Sequence, residues 1–184
     1  HVSHADGLAH VVSHQLFLFD VQDPARPRLV GSYEEEDWGW TAAAAGQYSF
    51  LGEWLGLRVV DVTDPADPRP VAFLALEGMP GVITIVGDRA YLTSRDDRVT
   101  GWPGGLHVVD ITDPLNPEIL GSADPPGYAW DVAILADHHQ DERSGGHLQL
   151  ADCFVDRPAA LGEEKLDHLG LALHAGGGEA QAFR

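Results

Sequence analysis

Histidine is the most reactive side chain that this sequence supplies in quantity, at ten of 184 residues. One group lies in a predicted loop and combines acids with imidazoles: Asp137, His138, His139, Asp141 and His147. Zinc and other divalent ions take such ligands from proteins. Successive side chains of an extended segment point to opposite sides, however, so His138 and His139 do not readily bind one ion together. Two interpretations stay open, a metal site and a solvated polar loop, and we favour the loop.

A second histidine group lies at the start of the chain: His1, His4, His10 and His14. The repeat described below places His4 and His10 on neighbouring strands. The group is either a ligand set or surface polarity at the edge of a sheet, and we favour the second interpretation.

Other signatures of catalysis are missing from the sequence. It contains no phosphate loop, dinucleotide fingerprint, nucleophile elbow or HExxH motif. Its single cysteine, Cys153, excludes an internal disulfide and is expected to be a small core residue. The sequence therefore predicts no catalytic, cofactor-binding or metal-binding residue, and no cofactor.

The charge of the chain narrows the range of partners. The formal net charge is −18, from 11 basic and 29 acidic residues. Such a surface repels nucleic acid and anionic lipid and keeps a protein soluble. No apolar run approaches the ~20 residues that a membrane helix needs. We therefore expect neither nucleic-acid binding nor membrane insertion.

The sequence contains a repeated unit that occurs three times, and the strands that it predicts must position any reactive side chain. Residues 16–27, 57–68 and 106–117 read LFLFDVQDPARP, LRVVDVTDPADP and LHVVDITDPLNP. In each copy an apolar run predicts a strand, and Asp-Pro predicts the turn that ends it. The leading aspartates, Asp20, Asp61 and Asp110, are expected to serve turns rather than catalysis.

Each unit has room for four strands. Residues 82–86 and 90–93 flank Gly87-Asp88, and residues 40–45 and 48–51 flank Gly46-Gln47, so each pair predicts a hairpin. Four antiparallel strands in 40 to 50 residues are typical of a propeller blade. The predicted fold is an all-β, partial or small β-propeller with three clear blades and one degenerate one. The expected boundaries are approximately 1–36, 37–77, 78–124 and 125–160, followed by an irregular or capping tail at 161–184.

Both ends depart from the pattern. The first residues align with the interior of a blade, and a return strand is short or missing in the fourth unit. We expect the chain to be a fragment of a longer propeller, with a small closed ring or a dimer as alternatives. An open arc would expose strand edges and apolar faces, which predicts self-association.

Two further sets of residues are candidate binding groups. The channel mouth, where the inner strands begin, is predicted to carry His1, Thr41, Val82 and Asp131, which do not make a metal ring. Of the tryptophans, Trp54 and Trp102 are expected in loops, where they could stack on a sugar or protein partner. Trp40 and Trp130 share one repeat position and are expected to be core.

The copies LFLFDVQDPARPRLVGS, LRVVDVTDPADPRPVAF and LHVVDITDPLNPEILGS resemble LVIVD repeats, and GYAWDVAI at residues 127–134 resembles the opening of such a repeat. The resemblance covers roughly residues 1–135. It implies a propeller at or outside the cell surface of a bacterium or archaeon, with no single shared enzymatic activity. We therefore expect a non-enzymatic extracellular or cell-surface module for protein or glycan binding or scaffolding. The alternative is a propeller hydrolase or lyase that acts on a lactone or polysaccharide with a divalent metal.

Overall fold

A computed structural model describes residues 1–34, 39–76, 78–95, 104–123, 128–129, 132–135, 149–151 and 155–156. All regular secondary structure in these ranges is β-strand, as the predicted all-β class requires. The same ranges contain no helix that is long and apolar enough to cross a bilayer.

Twelve of the strands form three sheets, each a four-stranded antiparallel meander in which consecutive strands pair. Each sheet is one blade, as the repeat predicts. Blade 1 consists of β1 (Val2–Ala5), β2 (Leu8–Val12), β3 (Gln15–Asp20) and β4 (Arg28–Glu34). Blade 2 consists of β5 (Thr41–Ala45), β6 (Tyr48–Glu53), β7 (Gly56–Asp61) and β8 (Arg69–Ala75). Blade 3 consists of β9 (Met79–Val86), β10 (Arg89–Arg95), β11 (Gly105–Asp110) and β12 (Glu118–Ala123).

The first hairpin of every blade closes with a two-residue turn that needs a left-handed residue. In blade 1, Asp6 and Gly7 both have positive φ, at 49° and 79°, which is the conformation of a type I′ turn. In blades 2 and 3 the first turn residue is a glycine with positive φ, Gly46 at 53° and Gly87 at 57°. These turns match the right-handed twist of the strands and so fix the register of each hairpin.

The third and fourth strands of each blade share one irregularity. Their register shifts between Leu18 and Phe19, between Val59 and Val60, and between Val108 and Val109. These pairs occupy the same repeat position, immediately before the leading aspartate. A β-bulge increases the local twist of a strand, and here it occurs at the same position in all three blades.

The core lies between blades. One buried cluster joins blade 1, through Val12, Leu16 and Leu18, to Leu51 and Val60 of blade 2. A second joins blade 2 to blade 3: Ala43, Phe50, Leu57 and Val59 pack with Ile83, Ala90, Leu92 and Val109. Because alternate side chains of a strand point to opposite faces of the sheet, blade 2 packs against blade 1 with one face and against blade 3 with the other. Face-to-face packing of successive four-stranded sheets is the architecture of a β-propeller.

Blade 3 is followed by shorter strands. Tyr91 and Leu106 pack with Val132, so the fourth unit continues the stack. There, β13 (Tyr128–Ala129) pairs with β16 (Val155–Asp156), and β14 (Ala133–Leu135) pairs with β15 (Gln149–Ala151). The tail predicted at 161–184 lies outside the described residues, as does Cys153.

Candidate functional site

The repeated aspartates serve turns, as the sequence predicts. Oδ1 of Asp20, Asp61 and Asp110 accepts a hydrogen bond from the amide two residues later, at 3.0, 2.8 and 2.8 Å. Hydrogen bonds to the carboxylates lower the pKa of all three aspartates. The amide of Gln22 contributes most for Asp20, whereas for Asp61 and Asp110 the side chains of Thr63 and Thr112 contribute most and their amides add to the effect.

The Asp-Pro turn that follows is built in one way in all three blades. The amides of Ala25, Ala66 and Leu115 donate to Oδ1 of Asp23, Asp64 and Asp113, at 3.1, 3.0 and 3.0 Å. The next amide donates to the carbonyl of the same aspartate at 2.9 to 3.0 Å, which closes a β-turn with proline at its second position. Both carboxylates of each motif are thus engaged in local backbone structure.

The turn of blade 2 also packs against blade 1. A Cβ built on Gly31 of β4 would lie 1.7 Å from the carbonyl oxygen of Pro65. The absence of a side chain at Gly31 therefore allows the Asp-Pro turn to approach the outer strand of the preceding blade. The Asp-Pro end of the blades, where these turns lie, thus has a structural role in the turns and in the contact between blades 1 and 2.

The first histidine group does not converge. His4 and His10 lie on neighbouring strands, as predicted, but His10 is opposite Ser3 and His4 is opposite Ala9. They therefore point to opposite faces of blade 1: His4 is exposed and His10 is fully buried. His1 instead reaches blade 2, where its Nδ1 lies 2.8 Å from the carbonyl oxygen of Ala42.

No group of three or more metal-ligating side chains occurs in the described part of the chain. The acid and imidazole loop, Asp137 to His147, lies outside that part, so its metal-binding interpretation stays a prediction. Asp131 of the channel mouth, Trp102 and Trp130 also lie outside the described residues, so what the sequence predicts for them stays a prediction.

Three of the four residues predicted at the channel mouth occupy equivalent positions in their blades, as the sequence predicts. Val2, Ala42 and Ile83 pair with Val11, Leu51 and Leu92, so the residues before them, His1, Thr41 and Val82, are equivalent. Thr41 is buried, and its hydroxyl has no hydrogen-bond partner among the described residues. The Val82 amide donates to the Thr93 hydroxyl at 2.8 Å. These three positions carry one imidazole, one buried hydroxyl and one apolar side chain, which is not the set of ligands that a metal ring needs.

Two tryptophans lie at one end of blade 2. Trp54 occupies the two-residue turn between β6 and β7 and is 42% exposed. Trp40 precedes β5, and its amide donates to the carbonyl of Gly52, two residues before Trp54. The prediction that Trp40 is core is wrong: its side chain is 37% exposed, because it lies just beyond the first residue of the strand, where the sheet ends. Leu55, beside Trp54, is 43% exposed.

A buried ion pair holds this end of blade 2. Glu53 has no exposed surface and Arg58 is 15% exposed at its side chain. Nε of Arg58 donates to both carboxylate oxygens, at 2.7 and 2.9 Å. The guanidinium also stacks over the ring of Phe73 on β8, 4.8 Å from its centroid. These contacts join β6, β7 and β8 directly beneath Trp54 and Leu55.

The sequence reasoning above missed this pair, although a signal for it was present. Arg58 interrupts the apolar run LRVVD, at the position where the other copies have Phe17 and His107. Glu53 lies across a two-residue turn from it, since Glu53 pairs with Gly56. A charged residue in a predicted core strand requires a partner close in the hairpin.

Blade 3 has a network of serine and histidine side chains at the equivalent positions. The Ser94 hydroxyl lies 3.0 Å from Nε2 of His107, and Nδ1 of His107 lies 2.8 Å from the Ser122 hydroxyl. A serine paired with a histidine could act as a nucleophile with its base. Ser94 is only 1% exposed, however, and its Oγ accepts a bond from the Gly105 amide at 2.9 Å. The network therefore stabilises the hairpin rather than presenting a nucleophile.

Comparison with known proteins agrees with the architecture. The model of the LVIVD repeat matches residues 40–71 and 99–124, in blades 2 and 3. No curated protein matches the chain. The chain thus contains LVIVD repeats in two of its three four-stranded blades and has the fold of a partial β-propeller.

Proposed function

We propose that this chain is a non-enzymatic propeller module that acts outside the cell or at its surface and binds a glycan or protein partner. The binding surface is the aromatic end of blade 2, defined here as Trp40, Trp54 and Leu55. The observation that carries the proposal is the exposure of all three side chains at one end of one blade, above the buried pair of Glu53 and Arg58.

Side chains of this kind suit recognition. Tryptophan offers a large apolar face together with one N–H donor, and it is enriched at binding surfaces. A turn held by a buried ion pair is ordered before binding, which lowers the entropic cost of association. The extracellular assignment is supported by the family resemblance, and the net charge of −18 favours partners other than nucleic acid.

The test is a binding screen against immobilised oligosaccharides and cell-surface proteins, in which the affinity is measured for every molecule that binds. Trp54→Ala should weaken binding at least tenfold, or about 1.4 kcal/mol, as expected for an aromatic residue at the centre of an interface.

Leu115→Ala is the matched control. Leu115 is 50% exposed, but it lies in the Asp-Pro turn of blade 3, at the opposite end of the blades. This variant should bind as the original chain does. Equal affinity of the Trp54→Ala variant and the original chain would exclude the aromatic end as the binding surface.

A further inference from the structure

Phe73 is an exposed aromatic residue on the outer strand of blade 2. It lies on β8 opposite Arg58 of β7 and is 43% exposed. The paired registers place Ser32 of blade 1 and Ser122 of blade 3 at the same repeat position. Since a serine occupies this position in the other two blades, the sheet itself does not require an aromatic ring there.

The ring of Phe73 is held close to the turn that carries Trp54. The guanidinium of Arg58 lies over the ring, 4.8 Å from its centroid. A Cβ built on Gly56 would lie 2.9 Å from Cζ of Phe73, so the missing side chain of Gly56 makes room for the ring. Gly56 directly follows Trp54 and Leu55 in the chain, and the ring therefore lies beside the aromatic end of blade 2. A ring held in this way loses little freedom when a ligand binds.

The segment that forms the aromatic end is electrically neutral. Between Gly39 and Val60, a range that the structure describes completely, Glu53 is the one acidic residue and Arg58 the one basic residue. The two neutralise each other in the buried ion pair. An anionic ligand would meet the repulsion of a chain with a net charge of −18, and a cationic ligand would find no exposed carboxylate in this segment. The charges therefore favour an uncharged ligand.

The exposed aromatic area is small. Trp40, Trp54 and Phe73 are 37%, 42% and 43% exposed. With ~150–250 Å² for a complete aromatic side chain, the three rings together offer about 180–300 Å². Each partner of a stable protein complex contributes ~800 Å². The rings cover less than half of such an interface, so their area matches a small ligand better than a protein.

We propose that Phe73 is a further binding residue beside the aromatic end, and that the ligand bound there is an uncharged glycan. This inference rests on the function proposed above and adds to it one contact and the class of ligand. A sugar ring has C–H groups on its faces and hydroxyls at its edge. It therefore stacks on an aromatic face while an indole N–H donates to a hydroxyl, and neither contact needs a charge on the ligand.

The test is calorimetric titration of the full chain with neutral oligosaccharides of glucose, mannose, xylose and galactose, and with uronic-acid oligosaccharides for comparison. We expect at least one neutral oligosaccharide to bind and the uronic-acid oligosaccharides not to bind. Phe73→Ser copies the residue of blades 1 and 3 and should weaken binding about tenfold. Phe73→Leu should have a similar effect, because it keeps an apolar side chain beside Arg58 but removes the ring.

Val71→Ser is the matched control, since Val71 lies on the same strand and is 37% exposed. This variant should bind as the original chain does, and urea unfolding verifies the fold of every variant. If both Phe73 variants keep full affinity while Trp54→Ala loses it, the inference is wrong and the proposed function stands. The same conclusion follows if the partner bound through Trp54 is a protein or an acidic glycan. Unchanged affinity in the Trp54→Ala variant and in both Phe73 variants would refute the inference and the proposed function together.

Discussion

His10 offers the sharpest test of how the blades hold together. It lies on β2 opposite Leu18 of β3, facing blade 2, and it has no exposed surface. Neither ring nitrogen has a hydrogen-bond partner within the described structure. Burial, with a smaller contribution from the charge of His4, lowers the pKa of His10 from 6.5 to about 4. The imidazole is therefore neutral in the folded protein at pH 7.

The repeat indicates which side chain would suit this position better. His10 corresponds to Phe50 and Tyr91, which are 1% and 2% exposed at the same place in blades 2 and 3. His10→Phe removes a buried polar ring without partners and substitutes an aromatic ring that the repeat already accommodates. We expect the variant to gain about 1–2 kcal/mol in the free energy of unfolding at pH 7.5, the usual cost of leaving such a group unsatisfied.

The same substitution should change the response to acid. Because the folded-state pKa of His10 is lowered, the unfolded chain binds more protons than the folded one between pH 6.5 and 4. The stability contributed by neutral His10 is therefore complete above pH 6.5 and is lost as the pH falls through that window. At 1.36 kcal/mol per pKa unit, the loss is about 2 kcal/mol by pH 5 and at most about 3 kcal/mol below pH 4.

Urea unfolding followed by tryptophan fluorescence at several pH values between 7.5 and 4 measures both effects. The difference between the original chain and the His10→Phe variant should widen by about 2 kcal/mol from pH 7.5 to pH 5. His14→Asn is the control, because His14 is exposed with a φ of 64°, a conformation that asparagine tolerates. The reasoning is refuted if His10→Phe destabilises the protein at pH 7.5, or if the difference does not depend on pH.

Two substitutions test the contacts within and between blades, both by urea unfolding at neutral pH. Glu53→Gln should lower the free energy of unfolding by about 3–5 kcal/mol, because it removes the carboxylate that the enclosed guanidinium of Arg58 binds. The double variant Glu53→Ser with Arg58→His copies the residues of blade 3 and should lower the free energy of unfolding clearly less. Gly31→Ala should cost about 1–3 kcal/mol, since its Cβ would overlap the backbone oxygen of Pro65 and force the two blades apart. Loss of 3 kcal/mol or more in the double variant, or an unchanged midpoint for Gly31→Ala, would contradict these accounts.

The fold could be predicted from the sequence because its signals are local. Asp-Pro sets the φ of the second turn position and caps the turn with a carboxylate, and both effects act within four residues. The two-residue hairpins are equally local, since Gly46 and Gly87 take the positive φ that the turn needs. The recurring bulge could not be predicted, because no distinctive residue marks the shift of register between Val59 and Val60.

The site could be predicted only in part. The loop position predicted for Trp54 is confirmed, because Trp54 lies in the two-residue connection between β6 and β7 and is 42% exposed. The exposure of Trp40 could not be predicted from its repeat position, because that position says nothing about where the sheet ends. Arg58 in a predicted core strand signals that a buried charge needs a partner, but the identity of that partner, Glu53, depends on the register of β6 and β7, which the sequence does not fix.

The two ends of the blades differ in a way that bears on function. At the end that carries the Asp-Pro turns, the three repeat copies have the same aspartates and the same hydrogen bonds, so the same turn structure forms in all three blades. At the opposite end, where the second and third strands of each blade are joined, one repeat position holds Phe17, Arg58 and His107, and Arg58 and His107 have different partners. If that end were only structural, we would expect the same contacts in every blade there as well. Its variation, together with the exposed tryptophans close to Arg58, supports the proposal that a partner binds at this end of blade 2.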